Sequence, residues 1–353
     1  VEAVPLPVDH PLEDGRTASA PLIRAYRGDR GEVTPVWFMR QAGRSLPEYR
    51  ELRAGTRMLD ACLDPAMAAE ITLQPVRRHG VDAAIYFSDI VVPVLLAGVG
   101  VEIVPGTGPV IASPIRTAAD VAALRPLEPS ALDPIRAAVA LAVAELGSTP
   151  LIGFAGAPFT LASYLVEGGP SKDQLRARTL MYADPHAWAG LLNWCADVSG
   201  QFLLAQVEAG ASAVQLFDSW VGSLSERDYI RRVAPHSQRV FSHLRGTEVP
   251  KVHFGLGSGP FLASMAAIGA DVVGVDWRTP LDSAAAVLPG IPLQGNLDPA
   301  LLGAPWKILE AHVRDVVERG RDAPAHVVNL GHGVPPDTDP DVLTRVVELV
   351  HSL

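Results

Sequence analysis

Eight short apolar runs separated by amphipathic stretches constrain this chain more than any other feature. They are VWFM (36–39), AAIYF (83–87), LIGFA (151–155), AVQLF (213–217), KVHF (251–254), DVVGV (271–275), IPLQ (291–294) and HVVNL (326–330). Most are apolar at successive positions rather than alternate ones, as strands are when a parallel sheet is covered on both faces. Helical periodicity fills 64–79, 185–209, 225–245, 260–269, 280–288 and 305–319. Strand then helix, repeated eight times, predicts a (β/α)8 TIM barrel, because right-handed crossovers leave few other arrangements for so many parallel strands.

The chain has 353 residues, well beyond the ~250 of a typical barrel. The surplus has a home at 91–150, where VEIVPGTGPVIASPI reads as a hairpin-like excursion and DPIRAAVALAVAELG as an Ala-rich helix. No Ser/Gly linker, charge block or low-complexity seam marks a second domain. The expectation is one catalytic barrel domain over 21–353 preceded by a loose N-terminal arm, 1–20. That arm is acidic and proline-bearing, without the cationic start and apolar centre of a secretory signal. No run reaches the 18 apolar residues of a membrane span, so a cytoplasmic chain is expected.

A formal charge of -10, from 29 Lys+Arg against 39 Asp+Glu, repels nucleic acid and anionic membranes. Neither is an expected partner, and any anionic ligand needs a local basic pocket. Cys62 and Cys195 sit inside helical patterns without a C-x-x-C neighbour and read as buried reduced thiols.

In a barrel the residues just after each strand converge on the face that carries the site. Here they are Arg40 and Arg44, Ser88 and Asp89, GAPFTLASY (156–164), Asp218 and Ser219, Gly255, Asp276, GNLD (295–298) and GHG (331–333). The arginines Arg40, Arg44, Arg50, Arg53 and Arg57 crowd behind the first run. Glu48 and Glu51 lie close enough in sequence to make an exposed ion-pair lattice with several of them. Arg40, directly after Met39, should instead point into the barrel mouth, where a guanidinium fork receives carboxylate or phosphate. Asp89 is either a turn cap or an anion awaiting N–H donors, since it is flanked by Phe87 and Ile90. Thr160 reads as the cap of the helix that follows it, and Tyr164, one turn on, could aim its hydroxyl at the mouth.

Other chemistries find weaker support. HFGLGSGP (253–260) with Asp276 imitates a dinucleotide fingerprint, but its spacing is G-x-G-x-G. A metal could be drawn onto His253, Asp276 and His332, yet no H-E-x-x-H or cysteine pair anchors it. There is no G-x-S-x-G elbow and no phosphate-binding G-x-x-x-x-G-K-[ST] loop.

Taken together, FMRQAGRSLPEYRELR and GFAGAPFTLASYLVEGGPSK resemble the two signature segments of the uroporphyrinogen decarboxylase family. YFSDI, LFDSWVGSLS, QGNLDP and NLGHGVPPDTDP resemble its remaining landmarks in the same order. The resemblance runs from about residue 20 to the C-terminus. It implies a (β/α)8 barrel that decarboxylates the four acetate arms of uroporphyrinogen III to give coproporphyrinogen III, without metal or organic cofactor and as a homodimer. Arg40 and Arg44 then match carboxylate-binding arginines, with Gln41, Ala42 and Gly43 between them in the substrate-binding segment and Arg53 a further candidate. Asp89 matches the family's central aspartate, which accepts hydrogen bonds from pyrrole N–H groups. Tyr164, Ser219 and His332 fall on positions that bind or orient the acid arms, and Phe217 on an apolar wall. On this reading Asp89, Arg40 and Tyr164 are the catalytic candidates. Ser45 stands where the family often has an aromatic residue. Related thiol- or cobalamin-linked methyltransferases hold zinc with a His-x-Cys pair; here His253-Phe254-Gly255 offers glycine instead.

Overall fold

Apolar runs that bury both faces become strands of one parallel sheet in the computed structural model, which describes residues 5–353. Its strands are β1 (Ala84–Ile85), β4 (Leu151–Gly156), β5 (Ala213–Asp218), β6 (Lys251–Gly255), β7 (Val272–Gly274), β8 (Leu293–Gln294) and β9 (His326–Val327). They lie in the order β1-β4-β5-β6-β7-β8-β9, and every neighbouring pair is parallel. The expected excursion is a separate antiparallel hairpin, β2 (Val101–Val104) with β3 (Gly108–Ile111). The Ala-rich helix follows as Asp133–Leu146.

The register sets a row across the sheet: Gly156 opposite Phe217, Phe217 opposite Phe254, and Phe254 opposite Gly274. Glycine is needed at both ends of that row. A Cβ on Gly274 would meet the Phe254 side chain at 2.9 Å, and one on Gly156 would meet Leu161 at 2.9 Å.

The first run, 36–39, is not a strand of this sheet. It makes one parallel bridge, Val36 with Val328. Trp37 N–H donates to Val328 O (3.2 Å), Val328 N–H to Pro35 O (2.8 Å), and Asp82 N–H to Val36 O (2.9 Å). Side chains take the remaining donors: the Asp82 carboxylate accepts from Val36 N, Gln41 Oε1 from Phe38 N and Asn329 Oδ1 from Met39 N. With its N–H groups satisfied in that way, the run needs no second ladder.

Helices follow the periodic stretches. Asp64 caps Pro65–His79 by accepting from Met67 N, and Asp184 caps Pro185–Glu208 by accepting from Ala187 N. The stretch 225–245 divides into Glu226–Arg232 and Ala234–Ser242, where Pro235 has no N–H to continue the first helix. A further helix, Pro340–His351, buries Leu343, Val346, Val347 and Val350, the i, i+3, i+4, i+7 stripe of an amphipathic helix. Cys62 and Cys195 are buried and unbridged.

Of the arm expected to be loose, residues 1–4 lie outside the described residues. From His10 on it is docked: His10, Leu12 and Thr17 are buried, and the Thr17 hydroxyl is 2.8 Å from that of Ser212, at the foot of β5. Among the described residues no helix is long and apolar enough to cross a membrane.

Candidate active site

The C-terminal ends of the parallel strands open into a cavity of about 1320 Å³, above the 300–1,000 Å³ of most small-molecule sites. Nine of the eleven residues expected there line it: Arg40, Ala42, Arg44, Arg53, Asp89, Tyr164, Phe217, Ser219 and His332. Gln41 and Gly43 do not. Gln41 is buried, its side chain accepting from Phe38 N (2.9 Å) and donating to Ala83 O (2.8 Å). Gly43, at φ +107°, sits where a Cβ would lie 3.3 Å from the Tyr49 ring. Both shape the arginine loop rather than its contents.

That loop is strained. Arg40 has φ +62° and Arg44 φ +35°, a region non-glycine residues seldom occupy and one that costs free energy wherever it is found. The strain turns both guanidinium groups into the cavity. An exposed ion-pair lattice does not form: Glu48 pairs with Arg78 (3.2 Å) and Arg57 with Asp60 (2.7 Å). Among the described residues Arg40 and Arg44 have no acidic partner within 4.0 Å, so their charge is open to a ligand. Arg50 braces the loop by donating to Arg44 O and Pro336 O. Arg53 donates to the Tyr49 hydroxyl, Met58 Sδ and Thr56 O.

Asp89 is half-buried opposite them. Oδ1 accepts from Val91 N (3.1 Å), so the carboxylate does shape the turn into helix Val92–Leu96 as well as facing the cavity. Burial pushes its carboxyl above the usual aspartate value, while Val91 N–H, Arg40 and Arg44 pull it back. Tyr164 projects from helix Pro158–Glu167, and burial, followed by the Asp89 charge, pushes its phenol up to about 12. Its ring stacks on Trp220 with centroids 4.0 Å apart.

His332 has its tautomer set locally, because Gly333 N–H donates to Nδ1 (2.6 Å). The neutral ring therefore carries its proton on Nε2. Burial first, then Arg40, Arg44 and Arg278, lower its pKa to about 4. Phe217 meets Phe154 and Phe254 edge-on at 5.5 and 6.0 Å, making one apolar wall.

Several further residues line the cavity. Trp220 follows a strand and Phe254 lies at the end of one, positions that chain order marks. Val101, Glu102, Ile103 and Pro109 come from the β2–β3 hairpin in the fold's surplus, and nothing in their sequence aims them at the site. The trio His253, Asp276 and His332 is not a ligand set. Asp276 is occupied by Gly257 N and Arg278, and among the described residues no three His, Cys, Asp or Glu side chains converge on one point.

Fold and cavity together define an α/β enzyme with a large cationic pocket at its strand ends, built around one half-buried aspartate. Residues 17–353 match the family model described as uroporphyrinogen decarboxylase (URO-D), and the chain belongs to that family. It is 66% identical over 341 residues to a uroporphyrinogen decarboxylase from Arthrobacter sp. (strain FB24), covering 96% of this chain and 99% of that one. A uroporphyrinogen decarboxylase from Leifsonia xyli subsp. xyli (strain CTCB07) is 64% identical over 365 residues, 97% of each chain. Among solved structures, a methyltransferase from Methanosarcina mazei superposes with a TM-score of 0.79 over 95% of this chain and 98% of that one, at 19% identity. That last likeness is one of fold.

Proposed function

We propose that the chain removes the four acetate carboxyl groups of uroporphyrinogen III as carbon dioxide, yielding coproporphyrinogen III in tetrapyrrole biosynthesis without a metal or organic cofactor. One observation carries the reading: two arginines that have no acidic partner among the described residues share a cavity of about 1320 Å³ with one half-buried aspartate. A macrocycle with eight carboxylates outside and four N–H groups inside matches that charge arrangement.

Each arm changes from –CH2–COO⁻ to –CH3, taking up one proton and losing one carbon dioxide. Protonating the pyrrole carbon beside the arm turns the ring into an electron sink; the C–C pair then flows into it, and the ring proton is returned when the methyl forms. Asp89 is the anion over which positive ring charge develops, accepting the pyrrole N–H groups. Arg40 and Arg44 hold acid arms by bidentate contact, so much of the acceleration is positioning. A guanidinium is too weak an acid to supply the proton, which leaves Asp89 or an acid arm of the substrate as its source. His332, neutral, offers Nε2–H to a carboxylate. Tyr164 and Ser219 offer hydroxyls, Arg53 is a further cation at the wall, and Phe217 excludes water.

On the same reading residues 21–353 are a single domain and a closed (β/α)8 barrel. The Val36–Val328 bridge and the Asp82 N–H bond to Val36 support segment 36–39 as the stave that closes it. The working form is a homodimer in the cytoplasm. Anaerobic incubation with uroporphyrinogen III, counting carboxylates lost and carbon dioxide released, tests the activity. Tight binding without carbon dioxide would make the chain a tetrapyrrole carrier instead.

A further inference from the structure

Thr160 was expected to cap its helix, and it does not. The cap position of helix Pro158–Glu167 is Ala157, with no side-chain cap bond. The Thr160 hydroxyl instead donates to Asp218 Oδ1 (2.8 Å), across 58 residues of chain, and accepts from Trp220 N (3.3 Å). Thr160 and Asp218 are both fully buried. A hydroxyl has a single proton, so accepting from Trp220 and giving to Asp218 leaves it one orientation.

Tyr164 lies one turn further on the same helix face, and its ring stacks on Trp220, the residue whose N–H Thr160 holds. Below both, Ala157 N–H donates to Phe217 O (2.8 Å). Helix and strand end are thus joined at three successive levels, and between the levels sit Phe217 and Ser219, which face the cavity. Asp218 Oδ2 has no hydrogen-bond partner among the described residues and lies 3.8 Å from Nε2 of the buried His253. Burying a carboxylate costs more than filling the same volume with an apolar side chain. What the carboxylate supplies in exchange is direction.

We propose that Thr160 and Asp218 are positioning residues, a buried clip that holds the Tyr164–Trp220 stack and with it the Tyr164 hydroxyl at the cavity wall. The proposal rests on the reading of Tyr164 as part of the site. Thr160→Val keeps the shape and removes the hydroxyl. It is expected to lower kcat about 10-fold with KM nearly unchanged, since a small misplacement of a reacting group costs rate. In a Tyr164→Phe background the same change should cost less than about 2-fold further, as coupled residues are not additive. Thr160→Ser should restore turnover.

The stack should give its own signal, a near-ultraviolet dichroism band defined as the one that Tyr164→Leu loses. Thr160→Val should lose it and Thr160→Ser keep it. Equal losses of kcat in the two backgrounds, or a retained band in Thr160→Val, would overturn the clip. Should Thr160→Val not fold, Thr160→Cys, a weaker donor that fills the volume, reads the same quantities. Wild-type turnover in Tyr164→Phe would remove the tyrosine from the reaction, and the dichroism would still decide the clip.

Discussion

Replacing Asp89 by asparagine separates its charge from its shape. Oδ1 of the amide still accepts from Val91 N, the bond that forms the turn in the wild type, so the entry to helix Val92–Leu96 survives. What disappears is a negative charge in a wall that includes Phe87, Ile90 and Phe217. Asp89 is half-buried, so an effective dielectric of about 20 applies, and opposite charges about 4 Å apart then attract by about 4 kcal/mol. At about 1.4 kcal/mol per factor of ten, Asp89→Asn should lower kcat by about 10³. Burial raises the Asp89 carboxyl, which means the ionised group opposes folding at neutral pH. The variant should therefore unfold at the wild-type temperature or above it. Turnover is followed anaerobically as stepwise loss of carboxylates, beside a thermal melt. A folded variant within about 3-fold of wild-type kcat would refute the argument. The pH profile adds a second check. If the anion is required, activity falls as pH drops through a value above the usual ~3.9 of aspartate, and that limb is absent in Asp89→Asn.

Arg40→Lys keeps the charge and the backbone strain but loses the fork, worth about 1.5–3 kcal/mol for charge-assisted bonds; kcat/KM should drop about 10- to 100-fold, and an unchanged value would exclude bidentate grip. Gly333→Ala puts a Cβ into the aliphatic stem of Arg40, so a raised KM in a normally folded protein is expected, and an unchanged KM would show the stem can move freely. His332, with its pKa lowered to about 4, should show an imidazole nitrogen shift that stays flat from pH 5.5 to 8 in the free protein; a titration near the ordinary ~6.5 would contradict its burial beside the arginines. His351 is raised by its hydrogen bond to Asp82. Its stabilisation is complete below the unfolded histidine pKa of ~6.5 and is lost as pH climbs through the higher folded value. His351→Gln should thus lose a stability increment at pH 6 but not at pH 9, by at most ~1 kcal/mol for so exposed a pair.

Much of this was legible in order along the chain. Strand runs such as LIGFA and AVQLF read correctly because burial on both faces leaves a continuous apolar signature. The 36–39 run carried the same signature, yet its N–H groups go to Asp82, Gln41 and Asn329, contacts that no local pattern reports. Helix Pro340–His351 lies outside the expected helical stretches although its apolar stripe is clear. The stretch 225–245 showed helical periodicity but not its break at Pro235.

At the site, chain order alone pointed Arg40, Arg44, Asp89, Tyr164, Ser219 and His332 to one face, because a βα repeat gathers the residues that follow its apolar runs whatever lies between them. Family motifs supplied their proposed roles. The fold decided what distance in sequence conceals. It gave Glu48 to Arg78, so that among the described residues Arg40 and Arg44 have no acidic partner, and it sank Asp89 deep enough for burial to shift it. It also took Thr160 from its helix cap to Asp218, and it brought the β2–β3 hairpin over the cavity. Periodicity and caps are short-range physics and are written in neighbouring residues; charge, burial and hydrogen-bond partnership depend on what the rest of the chain places nearby.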